Sequence, residues 1–164
     1  EVELDIKFGP RDWVQNISNN SIYLNPAAIK AAPATAEIIQ RYVSALCVEE
    51  DAVLMAVGAH DLASRAAVDP IVMNLYRGHK QGDCGDVLLV LNPGWMNYGR
   101  TGTTHGSPFA YDTHVPCLFY GAGVESGETN DKTYTRDVAP TMSALLGIPY
   151  PNGTTGSPIH QALK

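Results

Sequence analysis

Five consecutive aliphatic residues, Val87-Leu88-Leu89-Val90-Leu91, stand between Gly85-Asp86 and Asn92-Pro93-Gly94. No polar residue alternates with them, so an extended segment here is apolar on both faces and belongs inside a sheet covered on both sides. Candidate neighbours are three other short apolar runs, Ser21 to Leu24, Ala52 to Val57 and Val115 to Tyr120, each bounded by Gly, Pro, Asn or Asp. Candidate covering layers are helical. Ile38, Ile39, Tyr42, Val43 and Leu46 fall on one stripe of a 3.6-residue period, opened by Pro33 and Thr35, with Glu37 in the first turn where the helix dipole favours it. A second helix begins at Asp137 as N-cap and tolerates Pro140 in its first turn. It carries Met142, Leu145 and Leu146 as its core-packing side and stops at Gly147. A shorter helix follows the cap pair Asp69-Pro70. Strands interleaved with helices predict an α/β (α+β layered) fold built on a mixed sheet.

At 164 residues, one ordinary core is affordable without metal or disulfide staples. Seventeen acidic against eleven basic side chains give a formal charge of −6, which excludes a nucleic-acid-binding surface, since phosphate backbones require a basic face. No run approaches the roughly 20 apolar residues of a membrane span. The opening Glu1-Val2-Glu3-Leu4-Asp5 is neither a signal n-region nor an initiator start, so the chain is expected to be a processed product or an excised piece. Cys47, Cys84 and Cys117 have neither zinc-knuckle spacing nor an even disulfide count, and they read as small thiols that leave the redox compartment open. Walker, GxGxxG, HExxH and GxSxG motifs are absent.

From Tyr98 to Asp112 the chain turns polar and glycine-rich between two apolar runs, the setting in which function concentrates. Gly102-Thr103-Thr104-His105-Gly106-Ser107 is its sharpest string. Small neighbours let the His105 imidazole approach a metal, with the hydroxyls of Thr103, Thr104 and Ser107 as supporting partners, although a lone loop histidine can equally be solvated and idle. Asp112 either orients His105 through a carboxylate–imidazole hydrogen bond or caps its turn. His114 is a second ligand or acid/base group, or else a structural residue at a strand entrance. His60-Asp61 superficially resembles a metal pair but reads as a strand exit, because neighbouring residues on a strand point to opposite faces. His79 reads as solvated loop.

Gly102-Thr103-Thr104-His105-Gly106-Ser107, with Tyr111-Asp112-Thr113-His114-Val115-Pro116 and Phe119-Tyr120-Gly121, resembles the C-terminal part of the alkaline phosphatase superfamily. Within it the likeness is to bacterial single-chain phosphatases related to nucleotide pyrophosphatase/phosphodiesterases. The block from Asp137 to Ile148, followed by Pro151-Asn152-Gly153, is similar to an ending shared with sulfatases. Ile22-Tyr23-Leu24-Asn25 and Gly85-Asp86-Val87-Leu88 resemble the segment that precedes the histidine in the phosphatase branch.

The resemblance implies that His105 is a zinc ligand in a two-zinc site, whose remaining Asp and His ligands and Thr or Ser nucleophile lie upstream of the matched region. It implies a phosphate-ester substrate, and a chain that is inactive alone because it holds no catalytic nucleophile. Residues 1–98 are expected to form a small α/β cap-like subdomain, and 99–164 a return to the catalytic core with the metal-ligand loop. Relatives of this kind are mostly exported, which implies a periplasmic or extracytoplasmic parent. A sulfatase fragment is the alternative within hydrolases. A non-catalytic module binding a partner or polysaccharide through Trp95, Tyr98 and Tyr111 is the alternative outside them.

Overall fold

The aliphatic run forms an interior strand with apolar layers on both faces. The computed structural model describes residues 1–96, 101–102 and 105–164. It falls into two compact units, Glu1–His114 and Val115–Lys164. The expected division between residues 98 and 99 lies outside the described residues.

In the first unit, strands β1 (Val14–Ser18), β2 (Ser21–Leu24), β3 (Val53–Gly58) and β4 (Val87–Leu91) form one sheet in the order β1-β2-β4-β3. Every ladder in it is antiparallel. The α/β layered class is as the sequence predicts, while the expected mixed sheet is corrected to an antiparallel one among the described strands. Successive side chains of β4 enter different clusters, because strand residues alternate faces. Val87 packs with Leu4, Phe8, Trp13, Leu24, Ile39 and Val43. Leu88 packs with Val57, Leu62, Ala66 and Val72.

Helices supply both layers. On the first face lie α1 (Val2–Phe8), α2 (Pro26–Lys30) and α3 (Ala36–Cys47), and on the second α4 (Leu62–Ala66) and α5 (Pro70–Gly78). Their starts follow local chemistry. Thr35 accepts from the Ile38 N–H at 3.4 Å, Asn25 accepts from the Ala27 N–H, and one Asp69 oxygen accepts from the N–H groups of Ile71 and Val72. Under the first layer Trp13 is wholly buried and its indole N–H donates to Asp5 at 3.1 Å, so the large ring leaves no unpaired polar atom.

Asp86, just before β4, holds the sheet to α3. One carboxylate oxygen accepts from the Leu24 N–H at 2.8 Å and the other from Gln40 Nε2 at 3.2 Å. Gly85 lies so close to β2 that an added Cβ would sit 2.7 Å from Ser21 Cβ and 2.9 Å from the Ile22 carbonyl oxygen.

The second unit is organised by helix α7 (Val138–Leu146) and the tail that returns to it. Asp137 precedes α7 as predicted, but its side chain does not cap the helix. It accepts instead from the N–H groups of Tyr134 at 2.9 Å and Ser157 at 3.1 Å. The fully buried Thr141 hydroxyl donates to the Asp137 carbonyl and accepts from the Ile159 N–H at 2.9 Å. Gly156 passes so near Arg136 that an added Cβ would lie 2.2 Å from its carbonyl oxygen. Gly147 ends the helix in the left-handed conformation, φ 64°, which glycine adopts without strain.

Two expectations are corrected here. Val115 to Tyr120 is not a strand among the described residues, and its Leu118 is 90% exposed. An apolar run needs a hydrogen-bonded neighbour to become a strand, and none of the described strands pairs with it. The expected core face of α7 is also largely turned outward, with Leu145 alone of its three residues half-buried. Met142 and Leu146 are exposed together with Val138, while Pro140, Thr141 and Ser143 are buried. The tail seeks hydrogen bonds from Thr141, and that contact, rather than the apolar stripe, sets which side of the helix is covered.

Candidate functional site

The polar loop after β4 is built from backbone contacts that the sequence partly announces. Asn92 anchors its start, with its N–H on the Ala52 carbonyl and its side-chain amide on the Asp51 carbonyl, both at 2.8 Å. The turn through Pro93 and Gly94 closes when the Trp95 N–H donates to the Asn92 carbonyl at 3.0 Å, and Gly94 takes φ 79°. The Gly94 N–H then donates to the Tyr111 hydroxyl at 3.2 Å, so the loop's entry is tied to the short helix α6 (Ala110–Thr113).

His105 is exposed rather than packed into a hydrocarbon core. Gly106 follows it with φ 112°, a conformation closed to most L residues, which turns the chain so that the Ser107 N–H meets Asp112 Oδ2 at 2.9 Å. Asp112 therefore closes a six-residue turn around its own helix start. Ser107, and next the nearby His105, hold the Asp112 carboxyl below its ordinary range. Ser107 Oγ is buried with no partner at hydrogen-bonding geometry, so the short-range part of that effect rests on the N–H contact. Phe109 and Tyr111 stand with ring centroids 5.7 Å apart on the same turn. His114 ends α6, its N–H on the Ala110 carbonyl at 2.9 Å, and its side chain is exposed.

Thr103, Thr104 and Tyr98 lie outside the described residues. Among the described residues, no group of three or more His, Cys, Asp or Glu side chains is placed to hold a metal ion. His105 can therefore supply one imidazole, and a zinc site, which takes about four ligands, would need donors beyond those described.

His60 and Asp61 leave β3 in a 3-10 turn, Ala59–Asp61, and serve separate partners. Asp61 receives both Nε and an Nη of Arg41, at 2.9 and 2.7 Å, which holds its carboxyl below the usual range. His60 Nδ1 is 2.9 Å from Gln40 Oε1. Sequence reasoning missed Gln40 and the Tyr111 tie. Gln40 sits one residue beyond Ile39 on the buried side of α3, and an amide at that offset beside the apolar stripe was the available signal. The Tyr111 contact joins residues 17 apart across the loop and left no local trace.

No family model matches the chain. Curated proteins do. The chain is 36% identical to alkaline phosphatase PhoV of Synechococcus elongatus over 148 residues, 90% of this chain and 27% of that protein. It is 28% identical to alkaline phosphatase PafA of Elizabethkingia meningoseptica over 162 residues, 98% of this chain and 30% of that protein. A protein of Myroides odoratus named calcium-transporting ATPase is 32% identical over 164 residues, 99% of this chain and 30% of the relative. The crystal structure of wild-type PafA superposes with a TM-score of 0.89 at 28% identity, covering 99% of this chain and 32% of that one. Fold and sequence thus define the class: the chain belongs to the alkaline phosphatase superfamily. It is a fragment in relation to those proteins, spanning 27–30% of the length of these curated relatives.

Proposed function

We propose that the chain is the C-terminal part of a zinc-dependent phosphate-ester hydrolase, that His105 is one of its zinc ligands, and that it is inactive alone. The observation that carries this reading is the match to alkaline phosphatases along nearly the whole chain, with the one histidine of the Gly-Thr-Thr-His-Gly turn exposed on its loop. Zinc, when bound, would polarise the phosphoryl oxygens and stabilise charge in the transition state. This chain's own contribution is to hold an imidazole in place. The Asp112 clamp on Ser107 fixes the turn that follows His105, and Gly94 to Tyr111 fixes its approach. Thr103, Thr104, Asp112 and His114 are proposed as supporting partners of that imidazole rather than as ligands.

Residues 1–98 would form the cap-like subdomain and 99–164 the return to the catalytic core, in a parent exported from the cytoplasm. The exposure of Val138, Met142 and Leu146 at four-residue spacing along α7 supports the second assignment, since an apolar helix face of this kind marks a surface that another layer covers. A sulfatase reading draws no support, because the relatives found include several alkaline phosphatases.

The test is phosphate release by the intact parent, with and without zinc, compared with its His105→Ala variant. Loss of about 10²-fold or more in turnover, with lowered zinc content, is expected from removing a ligand. Unchanged turnover and zinc content would remove His105 from the site. Hydrolysis by the 164-residue chain alone would overturn its assignment as an incomplete portion.

A further inference from the structure

A cavity of about 360 Å³ lies away from the His105 loop, between the turn after β3 and the segment joining α5 to β4, and falls within the size range of small-molecule sites. Its polar walls are His60, Tyr76, His79 and Gln81, and Ala59, Leu62 and Ala63 give it apolar contact. His79 is thus half-buried against a cavity, not a fully solvated loop residue.

What distinguishes this cavity is a chain of hydrogen bonds whose directions are all forced. The Leu24 N–H can only donate, and it occupies one oxygen of Asp86 at 2.8 Å. The His60 backbone N–H can only donate, which fixes the Gln40 amide oxygen on its side and leaves the amide nitrogen to donate to the other Asp86 oxygen at 3.2 Å. That orientation turns Gln40 Oε1 towards His60, where it accepts from the His60 backbone N–H at 3.2 Å. An oxygen cannot donate, so the ring nitrogen 2.9 Å away, Nδ1, must carry a proton. In the neutral ring Nε2 is then the acceptor. Gln40 is only 2% exposed, so the amide cannot turn to water without breaking three contacts. Gly58 makes room for it, since a Cβ there would lie 3.0 Å from Gln40 Cβ.

The lining also narrows the ligand. Among the described residues around the cavity there is no Lys or Arg, which disfavours a phosphate or carboxylate anion. Its one carboxylate, Asp86, has both oxygens engaged, and no metal-holding cluster forms among the described residues. A fixed imidazole acceptor selects a hydroxyl donor, while Tyr76 and Gln81 can exchange hydrogen bonds with further hydroxyls and Leu62 can cover a C–H face.

We propose that this cavity binds a small neutral polyol, a cyclitol or monosaccharide, through a hydroxyl donated to His60 Nε2. The proposal is independent of the zinc reading and of the parent's activity.

The test uses imidazole ¹⁵N NMR on the full 164-residue chain, titrated with myo-inositol, D-glucose and inorganic phosphate as probes. The free protein should show His60 protonated on Nδ1. One or both polyols should shift its Nε2 resonance, and apparent affinity, read at the His79 imidazole that also lines the cavity, should fall about tenfold in His60→Ala, the loss of one good hydrogen bond. Ala63→Phe, an exposed position on the cavity wall, should block binding while leaving the His60 tautomer unchanged. A proton on Nε2 in the free protein would overturn the proposal. So would polyol affinity undiminished in both variants, the absence of any polyol shift, or a response to phosphate alone.

Discussion

Thr141 shows how much of this molecule depends on single polar atoms. Its hydroxyl is buried and serves two backbone groups at once, donating to Asp137 and accepting from Ile159. Thr141→Val keeps the shape and leaves both groups unpaired, so unfolding free energy should fall by about 1–3 kcal/mol in a denaturant titration. Gly85→Ala tests close approach instead. Its new methyl meets β2 at 2.7 and 2.9 Å, and overpacking of this sort should destabilise by about 1–3 kcal/mol, read as a lowered Tm. Asp112 supplies the pH prediction. Its carboxyl titrates below the ordinary value of 3.8, so the Ser107 contact contributes fully above that value. It is lost only as pH falls through the lower folded-state value. A carboxyl ¹³C titration should place Asp112 below 3.8, and a midpoint at or above it would contradict the clamp. The sequence singled out His105 and Asp112 in one glycine-rich loop and left Asp112 open between orienting that imidazole and capping its turn. It could not mark the Ser107 contact, which depends on the φ of Gly106.

Elements were legible where a cap and a full apolar stripe coincided. Thr35 with the stripe through Val43, and Asp69 with Pro70, placed α3 and α5, and the unbroken run at 87–91 placed an interior strand. The helices α1, α2 and α4 span only five to seven residues, too short for a stripe to repeat. Leu4 and Phe8 are the whole buried side of α1. Asn25 caps α2 ahead of Pro26, accepting from the Ala27 N–H at 2.9 Å, a local signal that sequence reasoning passed over. The failures at Val115 to Tyr120 and on α7 have a different cause, because periodicity reports which face is apolar and says nothing of what covers it. Asp69 holds two N–H groups of α5, at 2.8 and 3.3 Å, so Asp69→Ala should lower stability by about 1 kcal/mol in the same titration, more than an exposed substitution would.

At the scale of the whole molecule, the two units differ in how they satisfy the hydrophobic effect. The first buries two clusters against one sheet, while the second keeps Val138, Met142 and Leu146 in water. A patch of that kind should drive concentration-dependent self-association of the chain by itself. Sedimentation should show it, and Met142→Lys with Leu146→Lys should abolish it, whereas a monomer at all concentrations would count against the patch. The tail of the second unit is held against its helix in spite of that surface, and this has a practical side. The Ile159 N–H rests on Thr141 immediately before the closing turn His160–Ala162, so an affinity handle fused after Lys164 would be attached close to a latch. Removing residues from 157 onward would release that latch and leave the Thr141 hydroxyl with the Asp137 carbonyl as its remaining protein partner.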